Sequence, residues 1–201
     1  MTDKTSLFKI SYGLYVLTTK FCGRDNGCII NTPVQVADNP LLITISINKQ
    51  NYSTEVLQQT GECNLSVLAK SVPFSVFENF GFKSGRDTDK LAGVDISRTE
   101  NGLCYLNQFT NAVISLKVIS NRDLGSHIEF LCEVTEAKVL SDEESVTYAD
   151  YHKNIKPKPQ KKTKGYRCVI CGYVHESDTL PDDFVCPICK HGAEAFVKIE
   201  D

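Results

Sequence analysis

Short runs of aromatic and β-branched residues, broken by Gly, Asn, Asp and Pro, fill most of residues 7–140 and predict strands. Residues 7–21 begin ambiguously and finish strand-like. Gly23-Arg-Asp-Asn-Gly27 reads as a turn, with Asn26-Gly27 as its hairpin signal, and residues 28–32 as the returning strand, closed by Pro33. Asp38-Asn-Pro40 turns the chain into the apolar run 41–47, expected as a buried strand. Further strands are expected over 63–68, 112–119 and 127–140, the last long enough for a bulge. Helices are brief: 53–59, with Ser53 and Thr54 as cap candidates, and 73–80. Many short strands with few helices predict a mainly β domain, an antiparallel barrel with helical insertions.

The pattern changes after residue 151. His152-Lys-Asn-Ile-Lys-Pro-Lys-Pro-Gln-Lys-Lys-Thr-Lys164 holds six lysines, two prolines and almost nothing to bury, so it is expected to be an extended, solvated linker. The net charge of -3 hides a segregation. Lys and Arg against Asp and Glu count 13 to 18 over residues 1–151, six to none over 152–164, and three to seven over 165–201. Three segments follow: a domain at 1–151, a linker at 152–164 and a second module at 165–201. The lysine run has no interleaved aromatics and no nucleic-acid-binding fold around it, so it reads as a tether and nucleic acid is not an expected partner. No apolar stretch approaches the roughly 18 to 20 residues of a membrane span, and the start lacks a signal core. A cytoplasmic protein is expected. Cysteines 22, 28, 63, 104 and 132 are odd in number and irregularly spaced, which argues against a disulfide framework. Cys22, Cys63, Cys104 and Cys132 read as core, and Cys28 as a small buried hydrophobe.

The other four cysteines form two Cys-x-x-Cys pairs, Cys168/Cys171 and Cys186/Cys189, joined by 14 residues. Two residues between cysteines let one tight turn present both thiolates to the same ion, and two such turns supply a tetrahedral set. Iron and zinc both accept it, and ligand type alone does not separate them. Gly172 after Cys171 leaves the chain free to wrap the sulfur. Tyr166, Tyr173, Phe184 and Phe196 supply aromatic packing to a segment too small to fold on burial alone.

Gly165-Tyr-Arg-Cys-Val-Ile-Cys-Gly-Tyr173, with Leu180-Pro-Asp-Asp-Phe-Val-Cys-Pro-Ile-Cys189 and Ala195-Phe196, closely resembles rubredoxin. The resemblance implies one iron on Cys168, Cys171, Cys186 and Cys189, passing single electrons. Two departures stand out: Phe184 where the family usually has tryptophan, and a short central loop. A zinc ribbon is the alternative.

In the first domain no Gly-x-Gly-x-x-Gly follows a strand, and neither a Walker loop nor a Gly-x-Ser-x-Gly elbow is present. Asn26-Gly-Cys-Ile-Ile-Asn-Thr32, Ile45-Ser-Ile-Asn-Lys-Gln-Asn-Tyr-Ser-Thr54, Phe80-Gly-Phe-Lys-Ser-Gly-Arg-Asp-Thr-Asp-Lys90 and Gly125-Ser-His-Ile-Glu-Phe130 resemble the flavin reductase family of FMN-binding split barrels. That resemblance implies a homodimer of Greek-key barrels with FMN near the subunit interface. Ile30, Asn31 and Thr32 would line the isoalloxazine ring; Ser46, Asn48, Lys49, Ser53 and Thr54 would hold the ribityl chain and phosphate, with Ser84, Arg86 and Lys90 as further phosphate candidates. His127 would lie on the nicotinamide side. A chain joining the two modules resembles flavin–rubredoxin fusions of anaerobes. It implies electrons passing from NAD(P)H through FMN to the iron and on to a soluble acceptor such as a flavodiiron protein that reduces oxygen or nitric oxide. A pure carrier reduced by a separate enzyme is the alternative.

Overall fold

The first unit runs β1 (Tyr15–Phe21), β2 (Arg24–Ile30), β3 (Val34–Asp38), β4 (Leu41–Asn48), α1 (Tyr52–Thr60), β5 (Glu62–Leu68), α2 (Phe74–Phe82), β6 (Ile96–Arg98), β7 (Cys104–Leu106), β8 (Thr110–Asp123) and β9 (His127–Val139). These come from a computed structural model that describes residues 4–157 and 164–199. Seven strands join in the order β2-β1-β5-β8-β9-β4-β3, each pairing antiparallel. β8 and β9 are the longest, and their ladder shifts register between Ser115 and Leu116 and between Val118 and Ser120. Such bulges bend a strand pair and raise its twist, which curls this sheet into a split Greek-key barrel.

Burial alternates along the strands because successive side chains point to opposite faces. In β4 only Ile43, Ile45 and Ile47 are buried, so the run expected to be buried throughout hides one face. Those isoleucines meet Leu17, Leu65, Leu116 and Phe130 around Leu57 of α1. A second cluster packs Phe77 and Phe80 of α2 against Val16, Cys104 and Leu106.

Three local expectations need correction. The β1–β2 hairpin turns at Cys22 and Gly23, with φ of 49° and 79°, and not at Asn26-Gly27. A two-residue turn with positive φ at both positions matches strand twist, so it closes the hairpin there and leaves Asn26 and Gly27 inside β2, opposite Thr19 and Thr18. This also puts Cys22 at the surface, while Cys28, Cys63, Cys104 and Cys132 are buried. Second, the cap of α1 is Asn51, whose side chain accepts from the Ser53 N–H, and not Ser53 or Thr54. Third, residues expected to start the linker are helical. Tyr148–Asp150 opens under a capping box from Thr147, and the helix continues through Tyr151–Ile155. The Tyr148 and Tyr151 rings hold His152 edge-on at 4.4 and 5.2 Å, which gives the segment aromatic surface to bury. Linker residues 158–163 lie outside the described residues.

A second unit, Pro157–Asp201, carries β10 (Tyr166–Cys168), β11 (Val174–His175) and β12 (Phe196–Lys198) in the order β11-β10-β12. Its buried core is Cys168, Cys186 and Ala195, flanked by Tyr173, Ile170, Ile188 and Phe196. Phe184 packs edge-on to Phe196 at 5.2 Å and tilts against His175 at 4.3 Å. Among the described residues no helix is long and apolar enough to cross a membrane.

Candidate functional site

Two turns build the cysteine cluster, and they repeat one backbone design. In the first, the Gly172 N–H donates to Cys168 O at 2.9 Å and the Cys168 N–H to Tyr173 O at 2.8 Å. In the second, the Lys190 N–H donates to Cys186 O at 2.9 Å and the Cys186 N–H to His191 O at 2.8 Å. Gly172 and Lys190 hold the equivalent positive φ, 81° and 61°. The turns bring the four Sγ atoms within 4.8 Å of one another, with Cys168–Cys189 and Cys171–Cys186 each at 3.5 Å. A tetrahedral ion with metal–sulfur bonds of about 2.3 Å needs sulfur separations of about 3.8 Å, so the set fits.

Backbone N–H groups are aimed at the sulfurs: Tyr173 at Cys171, Ile188 and Cys189 at Cys186, and His191 at Cys189. Such bonds stabilise thiolate. Hydrogen bonding from the Cys189 thiol, aided by the Tyr173 N–H, pulls Cys171 down to about 5, while the same contact pushes Cys189 up. Four thiols this close cannot all ionise without a cation among them.

The expected cofactor residues of the first unit gather at one end of the barrel. Thr32 joins the exit of β2 to β4, its Oγ1 donating to Ser46 O at 2.8 Å and accepting from the Ser46 N–H at 2.9 Å. Asn31 beside it is half-buried, and Ile30 is buried in the core. Asn48 pairs with His127 across the β4–β9 ladder, and the Lys49 N–H donates to Ser126 O at 3.0 Å. His127 Nδ1 lies 2.8 Å from the Ser126 hydroxyl. Asn48 O accepts from the Thr54 hydroxyl at 2.7 Å, tying β4 to the first turn of α1. Over that turn lies the loop with Ser84 and Arg86: the Arg86 guanidinium pairs with Glu55 and sits 5.0 Å above the Tyr52 ring.

Thus Thr32, Ser46, Asn48, Lys49, Ser53, Thr54, Ser84, Arg86 and His127 surround the β4–α1 corner. Their availability differs. Lys49 pairs with Asp123 at 2.5 Å and Arg86 with Glu55, both at the surface. Exposed pairs of this kind are worth about 0–1 kcal/mol, so an incoming phosphate can replace the carboxylates. Lys49 and the Gly125 N–H hold Asp123 below the usual carboxylate range. Ser53 and Thr54 are fully buried and brace the corner instead: Ser53 Oγ accepts from Asn26 Nδ2 at 2.8 Å.

Lys90 is a correction. Expected on the phosphate, it is 4% exposed, and its ammonium donates to Gly27 O at 2.9 Å and Phe80 O at 3.1 Å. Burial lowers its pKa. It acts as a brace between β2 and α2. Burial likewise pushes the Cys28 thiol up, against the opposing Ser53 hydrogen bond and Lys90 charge. Asn26, Asn51, Tyr52 and Gly85 belong to the corner and were missed from the sequence. Gly85 approaches Asn26 so closely that a Cβ there would overlap its side-chain amide. The sequence carried no signal for this contact, since Asn26 reads there as a turn residue and its approach to Gly85 depends on the fold.

Comparison with known proteins fits both units. Residues 7–157 match the flavin reductase like domain, and residues 166–197 the rubrerythrin, rubredoxin-like domain. The chain is 36% identical to high molecular weight rubredoxin of Moorella thermoacetica, covering 98% of this chain and 100% of that protein. It is 35% identical to ferric-chelate reductase (NAD(P)H) of Archaeoglobus fulgidus, covering 82% of this chain and 97% of that one. Among solved structures, flavin reductase PheA2 in its native state superposes with a TM-score of 0.61 at 26% identity, covering 73% of this chain and 93% of that one.

Proposed function

The chain belongs to the flavin reductase-like family and ends in a rubredoxin-like domain, and from that premise we propose an NAD(P)H-dependent electron-transfer oxidoreductase. When bound, FMN would supply hydride acceptance and one-electron release, and one iron on Cys168, Cys171, Cys186 and Cys189 would supply single-electron transfer to a soluble acceptor such as a flavodiiron oxygen or nitric oxide reductase. The observation that carries this reading is the cluster of four Sγ atoms in a chain whose other domain is flavin reductase-like.

Each residue has a definite task in this reading. Arg86 and Lys49 exchange their surface carboxylates for the FMN phosphate, and the Ser84 hydroxyl adds a donor. Asn48 and Ser46 would line the path from phosphate to ring, and Ile30, Asn31 and Thr32 would border the ring. Ser53, Thr54, Asn26 and Lys90 keep the corner in shape. His127 stands where the nicotinamide enters. Cys168, Cys171, Cys186 and Cys189 hold the iron, with N–H groups from both turns stabilising the thiolates. A homodimer is part of this reading, as the flavin reductase-like family implies.

An anaerobic NADH titration of the purified protein tests the reading, following flavin and ferric-thiolate absorption separately. Both bands are expected to bleach. Flavin bleaching without iron reduction over minutes overturns the relay; no response from either makes the protein a carrier loaded by another enzyme. Metal analysis finding zinc in place of iron overturns the electron-transfer role of the second unit.

Arg86→Ala is expected to weaken FMN binding about tenfold, the scale of one charge-assisted hydrogen bond, as read by fluorescence titration. Its melting temperature should barely move, because the Arg86–Glu55 pair is exposed. The loss should shrink at high salt.

A further inference from the structure

The two turns of the cysteine cluster match in hydrogen bonding and in backbone sign, but not in residue type. The first has Gly172 at φ 81°, where glycine meets no steric penalty; the second has Lys190 at φ 61°, where any side chain is strained. Identical backbone bonds on both sides mean that glycine would serve equally at position 190. The lysine therefore does something its backbone does not.

Its place in the fold suggests what that is. Lys190 follows Cys189 directly, on the half-buried side of the cluster, whereas Cys168 and Cys186 are fully buried. Lys190 is exposed and pairs with no carboxylate among the described residues. It is one of three cations in residues 165–201, against seven carboxylates. One electron added to ferric iron held by four thiolates raises the negative charge of the set from one to two. A cation near the set stabilises the product more than the reactant. We propose that the charge of Lys190, carried on the residue that follows the ligand Cys189, biases this centre toward its ferrous state. This rests on the iron reading above and deepens it: the cation makes the rubredoxin-like unit a better sink for a single electron from reduced flavin.

The test is an anaerobic redox titration of the full iron-loaded chain against mediator dyes, comparing wild type with Lys190→Gln, Lys190→Gly and Lys190→Arg. At a fixed applied potential the ferrous-to-ferric ratio is expected to fall roughly threefold to tenfold in the Gln and Gly variants and to stay near wild type in Arg. The gap should narrow as ionic strength rises, since the charge is exposed. Iron content measured on the same samples separates two kinds of failure. A wild-type chain without iron overturns the iron reading and this proposal with it. Iron present in all four proteins, with Gln matching wild type or Arg falling alongside Gln, overturns the role of charge alone.

Discussion

Replacing Cys186 with alanine is expected to strip the metal from the chain and unfold residues 164–199, while the flavin reductase-like unit stays folded. Cys186 is fully buried, lies 3.5 Å from Cys171 through sulfur, and receives the N–H groups of Ile188 and Cys189. Among the described residues of this unit the buried hydrophobic core is three residues, and two of them, Cys168 and Cys186, are the proposed ligands. A segment this short cannot bury enough apolar surface to offset its chain entropy, so metal binding supplies the folding free energy. Structural four-ligand zinc sites supply about 10–16 kcal/mol in this way, well above the roughly 2–5 kcal/mol of an ordinary core truncation. Three thiolates would leave both the metal and the fold undersupplied. The checks are metal per chain, ferric-thiolate absorption and amide protection resolved by segment. Protection should vanish over 164–199 and persist over β8 and β9. A Cys186→Ala chain that keeps both metal and protection would show that the cluster is not the core of its unit.

Chemistry with fixed spacing was the most legible part of the sequence. Two Cys-x-x-Cys turns leave few arrangements, and the four sulfurs do converge. Runs of β-branched and aromatic residues bounded by turn residues likewise marked most strands, because such side chains pack well on a pleated surface. What escaped depended on contacts between distant segments. Asn26-Gly27 has the local chemistry of a hairpin turn, yet pairing with β1 drew it into β2 and moved the turn to Cys22-Gly23. Lys90 looked like a phosphate ligand until α2 and β2 closed over it and gave its ammonium two carbonyls. The capping role of Asn51 was hidden behind Ser53 and Thr54, which are also common caps but lie one and two residues inside the helix. His152 looked like linker until the tyrosines of the preceding turn packed against it. The difference between Gly172 and Lys190 was visible as letters, but its meaning needed the two φ angles.

Gly85→Ala is expected to cost about 3 kcal/mol of stability, from overpacking and a strained buried hydrogen bond, and to lower flavin affinity at least tenfold. A Cβ on Gly85 would lie 2.9 Å from Asn26 Cγ and 3.3 Å from Tyr52 Cδ1. Asn26 has no room to retreat: its backbone is locked opposite Thr19 in the β1–β2 ladder, and its amide is bound to Ser53 Oγ at 2.8 Å. The strain has two outlets. The loop can lift from α1, carrying Ser84 and Arg86 away from the proposed phosphate position; or the amide can rotate, breaking the bond to Ser53 at the start of the helix. Either outlet spoils the corner on which β4, α1 and the 84–86 loop converge. Chemical denaturation and flavin titration measure the two effects separately. The decisive comparison adds Asn26→Ala, which removes the atoms the new methyl group strikes. If the close approach is the cause, the double variant is less destabilised than the sum of the two single changes. Strict additivity, with flavin retained in Gly85→Ala, would mean that the loop is not seated on Asn26 and that the corner needs another anchor.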